Sequence, residues 1–293
     1  MKLVLGLTTA LLLTLAAAAP APAADGTIAL VAAENFYGNV AQQIGGDRVS
    51  VTSILNSPDQ DPHLFEVSPS VVRQIAAARI VVYNGADYDP WMRQLLRVTA
   101  KPGRVVIIAA DLVDKKSGDN PHIWYDPATM PAVARALAAA FTAADPAHED
   151  DYAARLKTFL ASLDPLNEKI AAIRGKYAGV AVTASEPVLG YMAAALKLKM
   201  RSERFQLAVM NDTEPSARDV AAFEQDLTTH QVRVLFYNKQ ASDKLVGHLV
   251  DLARASNIPV VGVTETCPPG MSYQEWMMSE LDDTEKALAG PSS

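Results

Sequence analysis

Short apolar runs alternate with amphipathic stretches along almost the whole chain, and this alternation constrains the fold more than any other feature. Residues 27–33 are apolar and end at Glu34-Asn35, which predicts a buried strand. Residues 36–44, stopped by Gly45-Gly46, predict a helix. Residues 49–55, 80–83 and 105–109 read as further strands. Ser68-Pro69 is an N-cap followed by proline in the first turn, opening a helix to about 78. Asp126-Pro127 repeats that signal for a helix to about 143. The second half repeats the logic, with strands at 180–183, 232–237 and 258–263 and helices at 187–196, 243–255 and 273–288. Ser216 with Asp219 predicts one more capped helix. Strands alternating with helices imply parallel sheets covered on both faces, so the fold class is α/β.

Residues 147–177 break the pattern, because no strand signal occurs there. Leu156, Phe159, Leu160, Leu163, Leu166, Ile170 and Ile173 recur at threes and fours, which is one helical face. As a single helix this strut would reach roughly 40 Å. Pro165 interrupts it and either kinks the helix or starts a second one capped by Asp164. The organisation read from the chain is a first α/β lobe at 25–145, a linker helix at 146–178 and a second α/β lobe at 179–293.

Residues 1–24 stand apart. Lys2 precedes an apolar run that closes on Ala21-Pro22-Ala23, the pattern of a cleaved signal peptide. No cysteine lies there to carry a lipid, so the expected mature protein is periplasmic. Without Lys2 the balance is 25 basic against 33 acidic residues, which argues against a nucleic-acid partner. The single cysteine excludes a disulfide framework and a cysteine-rich zinc site. Neither G-x-G-x-x-G nor a P-loop occurs.

Two of the five histidines share a context: Asp61-Pro62-His63 and Asn120-Pro121-His122. Each follows a strand region, where open α/β sheets bind ligands, and each is preceded by a proline that stiffens the loop. Alone, either would read as a solvated loop histidine. Together they begin a metal site. His148, His230 and His248 read as surface residues.

These motifs carry a family resemblance. Asp61-Pro62-His63-Leu64-Phe65-Glu66-Val67-Ser68-Pro69, Asn84-Gly85-Ala86 ahead of Trp91, and Asn120-Pro121-His122-Ile123-Trp124-Tyr125-Asp126-Pro127 resemble the metal-binding solute-binding proteins of bacterial zinc/manganese ABC transporters. The resemblance spans about residues 28–288. It implies two lobes joined by one long helix, with the metal between them and His63 and His122 among its ligands. It places a third ligand at Glu186, in Ser185-Glu186-Pro187, and a fourth at Glu265, where many members carry Asp. Read without the family, Glu186 is a first-turn helix acid and Glu265 a solvated loop acid. The resemblance leaves Asn238, where a Glu is frequent, without a ligand role. A histidine-rich loop between His63 and His122 is also missing.

Two imidazoles and two carboxylates balance one divalent ion. Mn²⁺ and Zn²⁺ both fit, Fe²⁺ is within reach, and Glu at 186 rather than His leans the site toward manganese. The implied protein is a monomer that captures a metal ion and hands it to a membrane permease. Trp91, Trp124 and Tyr88 are candidates to shield the site, or equally to pack a core. A secreted zinc hydrolase is the alternative, but neither H-E-x-x-H nor G-x-S-x-G is present. A metal chelate such as haem or a siderophore would want an apolar or basic cleft, not two histidines and two acids.

Overall fold

The computed structural model describes residues 26–58, 62–211, 213–241 and 243–290. The expected signal peptide lies outside them, as does the His63 side chain. The first sheet comprises β1 (Ile28–Glu34), β2 (Val49–Leu55), β3 (Ile80–Tyr83) and β4 (Val105–Ile108). Around it lie α1 (Asn35–Gly45), α2 (Pro69–Ala77), α3 (Pro90–Val98) and α4 (Thr129–Ala144). The strut is α5 (Glu149–Ser162) and α6 (Asp164–Tyr177). The second sheet comprises β5 (Ala181–Ala184), β6 (Lys199–Arg201), β7 (Leu235–Asn238) and β8 (Val260–Val263). Its helices are α7 (Gly190–Ala195), α8 (Glu203–Met210), α9 (Ala217–Thr228), α10 (Lys244–Ala255) and α11 (Tyr273–Ala289).

Both sheets are parallel throughout and share one topology, β2-β1-β3-β4 and β6-β5-β7-β8. In each, the chain goes to one side of the first strand and then crosses to the other. That creates a switch point between β1 and β3 and between β5 and β7, where the strands' carboxyl ends leave a crevice. Apolar β1 is buried along nearly its whole length, as a strand covered on both faces must be.

Several elements depart from the expectation in physically readable ways. Lys199–Arg201 has no apolar signature and is held as an edge strand by pairing Ala181 with Lys199 and Thr183 with Arg201. Asp126 does not cap α4: its Oδ1 accepts from the Ala128 N–H while the helix starts at Thr129. Ser68, Ser216, Asp243 and Ser272 do cap their helices, Ser272 within a complete capping box with Glu275. The strut divides at Leu163, which keeps helical dihedrals. Pro165 has no N–H to give to residue 161, so the ladder breaks there and Pro165 sits in the first turn of α6.

One hydrophobic cluster runs through both lobes and the strut, joining Phe36 and Trp124 to Phe159, Ile173, Val182 and Trp276. Separate clusters cover the outer faces: Val71, Ile75 and Met92 in the first lobe, Phe205, Phe223 and Leu249 in the second. Polar links also cross between lobes. Asn35 Nδ2 donates to the Cys267 carbonyl and Asn35 Oδ1 accepts from the Cys267 N–H. The Tyr125 hydroxyl donates to the Thr264 carbonyl, and the Tyr273 hydroxyl to that of Trp124. Among the described residues no helix is long and apolar enough to cross a membrane.

Candidate metal centre

Glu186 enters the site because β5 ends at Ala184 and the chain stays extended through residue 186 before turning at Pro187–Leu189. Glu265 follows β8 by two residues. His122 comes from the other lobe, on the loop between β4 and a short turn at Ile123–Tyr125. One ligating atom from each of His122, Glu186 and Glu265 lies within 4.8 Å of the others, and all three residues are buried. The reading of Glu265 as a solvated loop acid therefore fails, because the residue is fully enclosed.

The imidazole's protonation pattern follows from its neighbours. Asn120 Nδ2 donates to the Pro187 carbonyl at 2.7 Å, so its Oδ1 is the end facing His122. That oxygen accepts from the His122 backbone N–H at 3.1 Å and lies 2.7 Å from Nδ1. Nδ1 must then carry the ring's proton, which leaves a lone pair on Nε2 in the neutral ring. Nε2 makes no hydrogen bond and lies 3.4 Å from Glu265 Oε2. A lone pair aimed at carboxyl oxygens in a buried site is an arrangement that a cation stabilises. Imidazole nitrogen and carboxylate oxygen are donors that suit first-row divalent ions.

Asn238, at the end of β7, holds the two acids together. Its Oδ1 accepts from the Gln240 N–H, which turns Nδ2 toward the carboxylates. Nδ2 donates to Glu265 Oε1 at 2.5 Å and to Glu186 Oε2 at 3.3 Å. Gln240 Oε1 accepts from the N–H groups of Glu265 and Thr266, which fixes the loop after β8. Sequence reasoning assigned Asn238 no role. Its contacts depend on three strand ends meeting, which no local motif encodes.

A second polar group lies at the other switch point. Glu34, at the end of β1, is fully buried beside Asp89, which caps the backbone of Asn84 and Gly85 by accepting both N–H groups. Burial first, and then the neighbouring Asp89 charge, hold the Glu34 carboxyl well above the usual range. Burial pushes Asp89 up to about 6 against those backbone bonds. Two carboxyls buried side by side oppose each other's ionisation. The loop that brings Asp89 here has positive φ at Gly85, Ala86 and Asp87, a strained run that only glycine adopts freely. Tyr88 follows it and lies against Glu265; burial first, then the Glu265 charge, raise its phenol.

The other sequence candidates are placed as follows. Trp124 is buried with its ring centroid 5.2 Å from that of His122, and Tyr88 lies at 6.1 Å. Trp91 packs on Phe65 against the outer cluster of the first lobe instead. His63 is in the turn Pro62–Leu64, but its side chain is not among those described. His148 is bonded to Asp145, His248 to Glu224, and His230 is exposed beyond α9.

Comparison with known proteins agrees with this architecture. The chain is 24% identical over 241 residues to the manganese-binding lipoprotein MntA of Bacillus subtilis, covering 79% of this chain and 77% of that one. It is 21% identical to the iron ABC transporter substrate-binding lipoprotein MtsA of Streptococcus pyogenes serotype M1, over 99% of this chain and 98% of the other. The periplasmic zinc-binding protein TroA of Treponema pallidum shares the fold with a TM-score of 0.74 at 17% identity, over 90% of this chain and 99% of that one. Residues 30–287 match the family model described as ZnuA, zinc-uptake complex component A, periplasmic, and the chain belongs to that family.

Proposed function

We propose that this protein captures one divalent transition-metal ion between its lobes in the periplasm and hands it to the permease of an ABC transporter. The observation that carries this reading is the meeting of His122 from the first lobe with Glu186 and Glu265 from the second, with His122 Nε2 bare of any hydrogen bond. His63 completes the proposed ligand set. The lobes we assign are residues 25–145 and 179–293, with 146–178 as the strut between them. The ion is cargo, and no bond is made or broken on it. Relatives named for manganese, iron and zinc support the class of cargo without selecting the ion. Carboxylate at 186 leans the choice toward manganese, although the intrinsic affinity order favours Zn²⁺ over Mn²⁺ at equal ligands.

Metal analysis of the purified protein and of His63→Ala, His122→Ala, Glu186→Ala and Glu265→Ala tests the site. The unsubstituted protein should hold one ion per chain and each variant should lose it. Unchanged metal content in His122→Ala would overturn the site. Native mass spectrometry in competing Mn²⁺ and Zn²⁺ tests the lean: retention of Zn²⁺ alone, with no Mn²⁺ protection against unfolding, removes manganese.

A further inference from the structure

We propose that Asn120 is a positioning residue that makes lobe closure and the readiness of His122 as a ligand a single event; this rests on the reading of His122 as a metal ligand. Asn120 belongs to the first lobe, and its two amide ends face different lobes. Oδ1 accepts from the His122 backbone N–H and lies 2.7 Å from Nδ1. Nδ2 reaches across to the carbonyl of Pro187, the residue after Glu186, at 2.7 Å. The Asn120 backbone carbonyl accepts from the Tyr191 hydroxyl of the second lobe at 2.8 Å. Rotating the amide by half a turn would set Nδ2 against the His122 N–H and Oδ1 against the Pro187 carbonyl, donor on donor and acceptor on acceptor. With the lobes together only one orientation is allowed, and that orientation keeps the proton on Nδ1 and the lone pair on Nε2.

When the lobes part, the Pro187 carbonyl and the Tyr191 hydroxyl leave together. The amide then loses one of the two contacts that exclude its other orientation, and only the His122 N–H still holds the ring's acceptor in place. Closure therefore assembles the second lobe's carboxylates and aims the first lobe's imidazole through the same side chain. Opening separates the carboxylates from the imidazole and loosens the imidazole's support, which favours release of an ion.

Gly190 offers a way to perturb this link from outside the site. A Cβ there would lie 2.8 Å from Asn120 Nδ2. Its backbone is helical, with φ −53° and ψ −46°, so alanine suits the local conformation. Gly190→Ala crowds the amide that reaches Pro187, and its added methyl meets no candidate ligand within 4 Å. Asn120→Asp keeps an oxygen acceptor for His122 and removes the donor to Pro187.

The experiment measures release of Mn²⁺ alone, and separately of Zn²⁺ alone, by chelator chase, with tryptophan fluorescence reporting through Trp124. Asn120→Asp and Gly190→Ala should each speed release about tenfold or more, the scale of lost outer-shell support. The double variant should be no faster than the faster single variant, because both cut one link. The metal-free melting temperature of Gly190→Ala should stay level or rise, which separates positioning from general stability. Wild-type release rates in both single variants, or effects that multiply in the double variant, overturn the proposal. Absence of ion binding by the unsubstituted protein overturns the cargo reading and this proposal with it. Normal binding with unaltered release overturns this proposal alone.

Discussion

Glu280 is buried on α11, and its Oε1 accepts from Trp276 Nε1 at 3.2 Å. Burial pushes this carboxyl up to about 7, opposed by the Trp276 donor, the Lys239 charge and the Thr264 N–H and aided by the Asp283 charge. A folded-state value above the unfolded one means the native protein binds the extra proton, so stability falls as pH rises between about 4.5 and 7. Glu280→Gln keeps an acceptor for Trp276 and removes the ionisation. It should gain up to about 3 kcal/mol at pH 8 and flatten that part of the profile. Urea denaturation at pH 5 and pH 8 checks this, and a variant that tracks the parent at both refutes it. The Glu34–Asp89 pair adds a loss of the same sign. Its members are not equivalent, because Asp89 also accepts two backbone N–H groups. Asn at 89 would turn an NH₂ toward one of them, so Asp89→Asn should cost about 1–3 kcal/mol more than Glu34→Gln in the same assay. At this scale the meeting of His122, Glu186 and Glu265 was legible through motif and resemblance, while the His63 side chain lies outside the described residues. Asn238 and Glu34 were not, since each acquires its partners only when separate strands align.

The helices and strands follow local rules where those rules are strong. Ser272 caps α11 in a complete box, and Ser272→Ala should lower stability by about 1 kcal/mol, read from thermal denaturation. Pro165 occupies the first turn of α6, where its missing N–H would be unpaired in any case. Pro165→Ala should therefore change stability by less than about 1 kcal/mol; a loss near the ~3 kcal/mol scale of an interior proline would show that the break is strained. Lys169 and Lys176 reach from α6 to Glu285 on α11; the Lys176 side chain is exposed, so its pair is a weak support, while Lys169 and Glu285 are half-buried. Long apolar or well-capped elements were readable from the chain. The edge strand Lys199–Arg201 was not, because it exposes two of its three residues and exists only by pairing with β5.

Across the whole molecule the α/β class and the pair of sheets were legible from the alternation alone. How closely the lobes meet was not, because Asn35–Cys267 and Tyr125–Thr264 join residues 232 and 139 positions apart. The core that runs through both lobes and the strut predicts cooperative behaviour. Fluorescence and far-ultraviolet circular dichroism should report one coincident unfolding transition; two resolved transitions would show that the lobes melt independently. Bound ion should move that transition upward with concentration, by about 2.7 kcal/mol at a hundred times the dissociation constant.

The two sheets are one topological design used twice, and the design offers a crevice in each lobe. The copies have diverged in what fills it. One crevice ends in Glu186 and Asn238 and faces His122 of the opposite lobe; the other holds the buried carboxyls of Glu34 and Asp89. Broken symmetry of this kind sets an arithmetic of its own. A duplicated architecture offers two places where ligands could gather, and among the described residues the cluster of His122, Glu186 and Glu265 forms at one of them, with both lobes contributing.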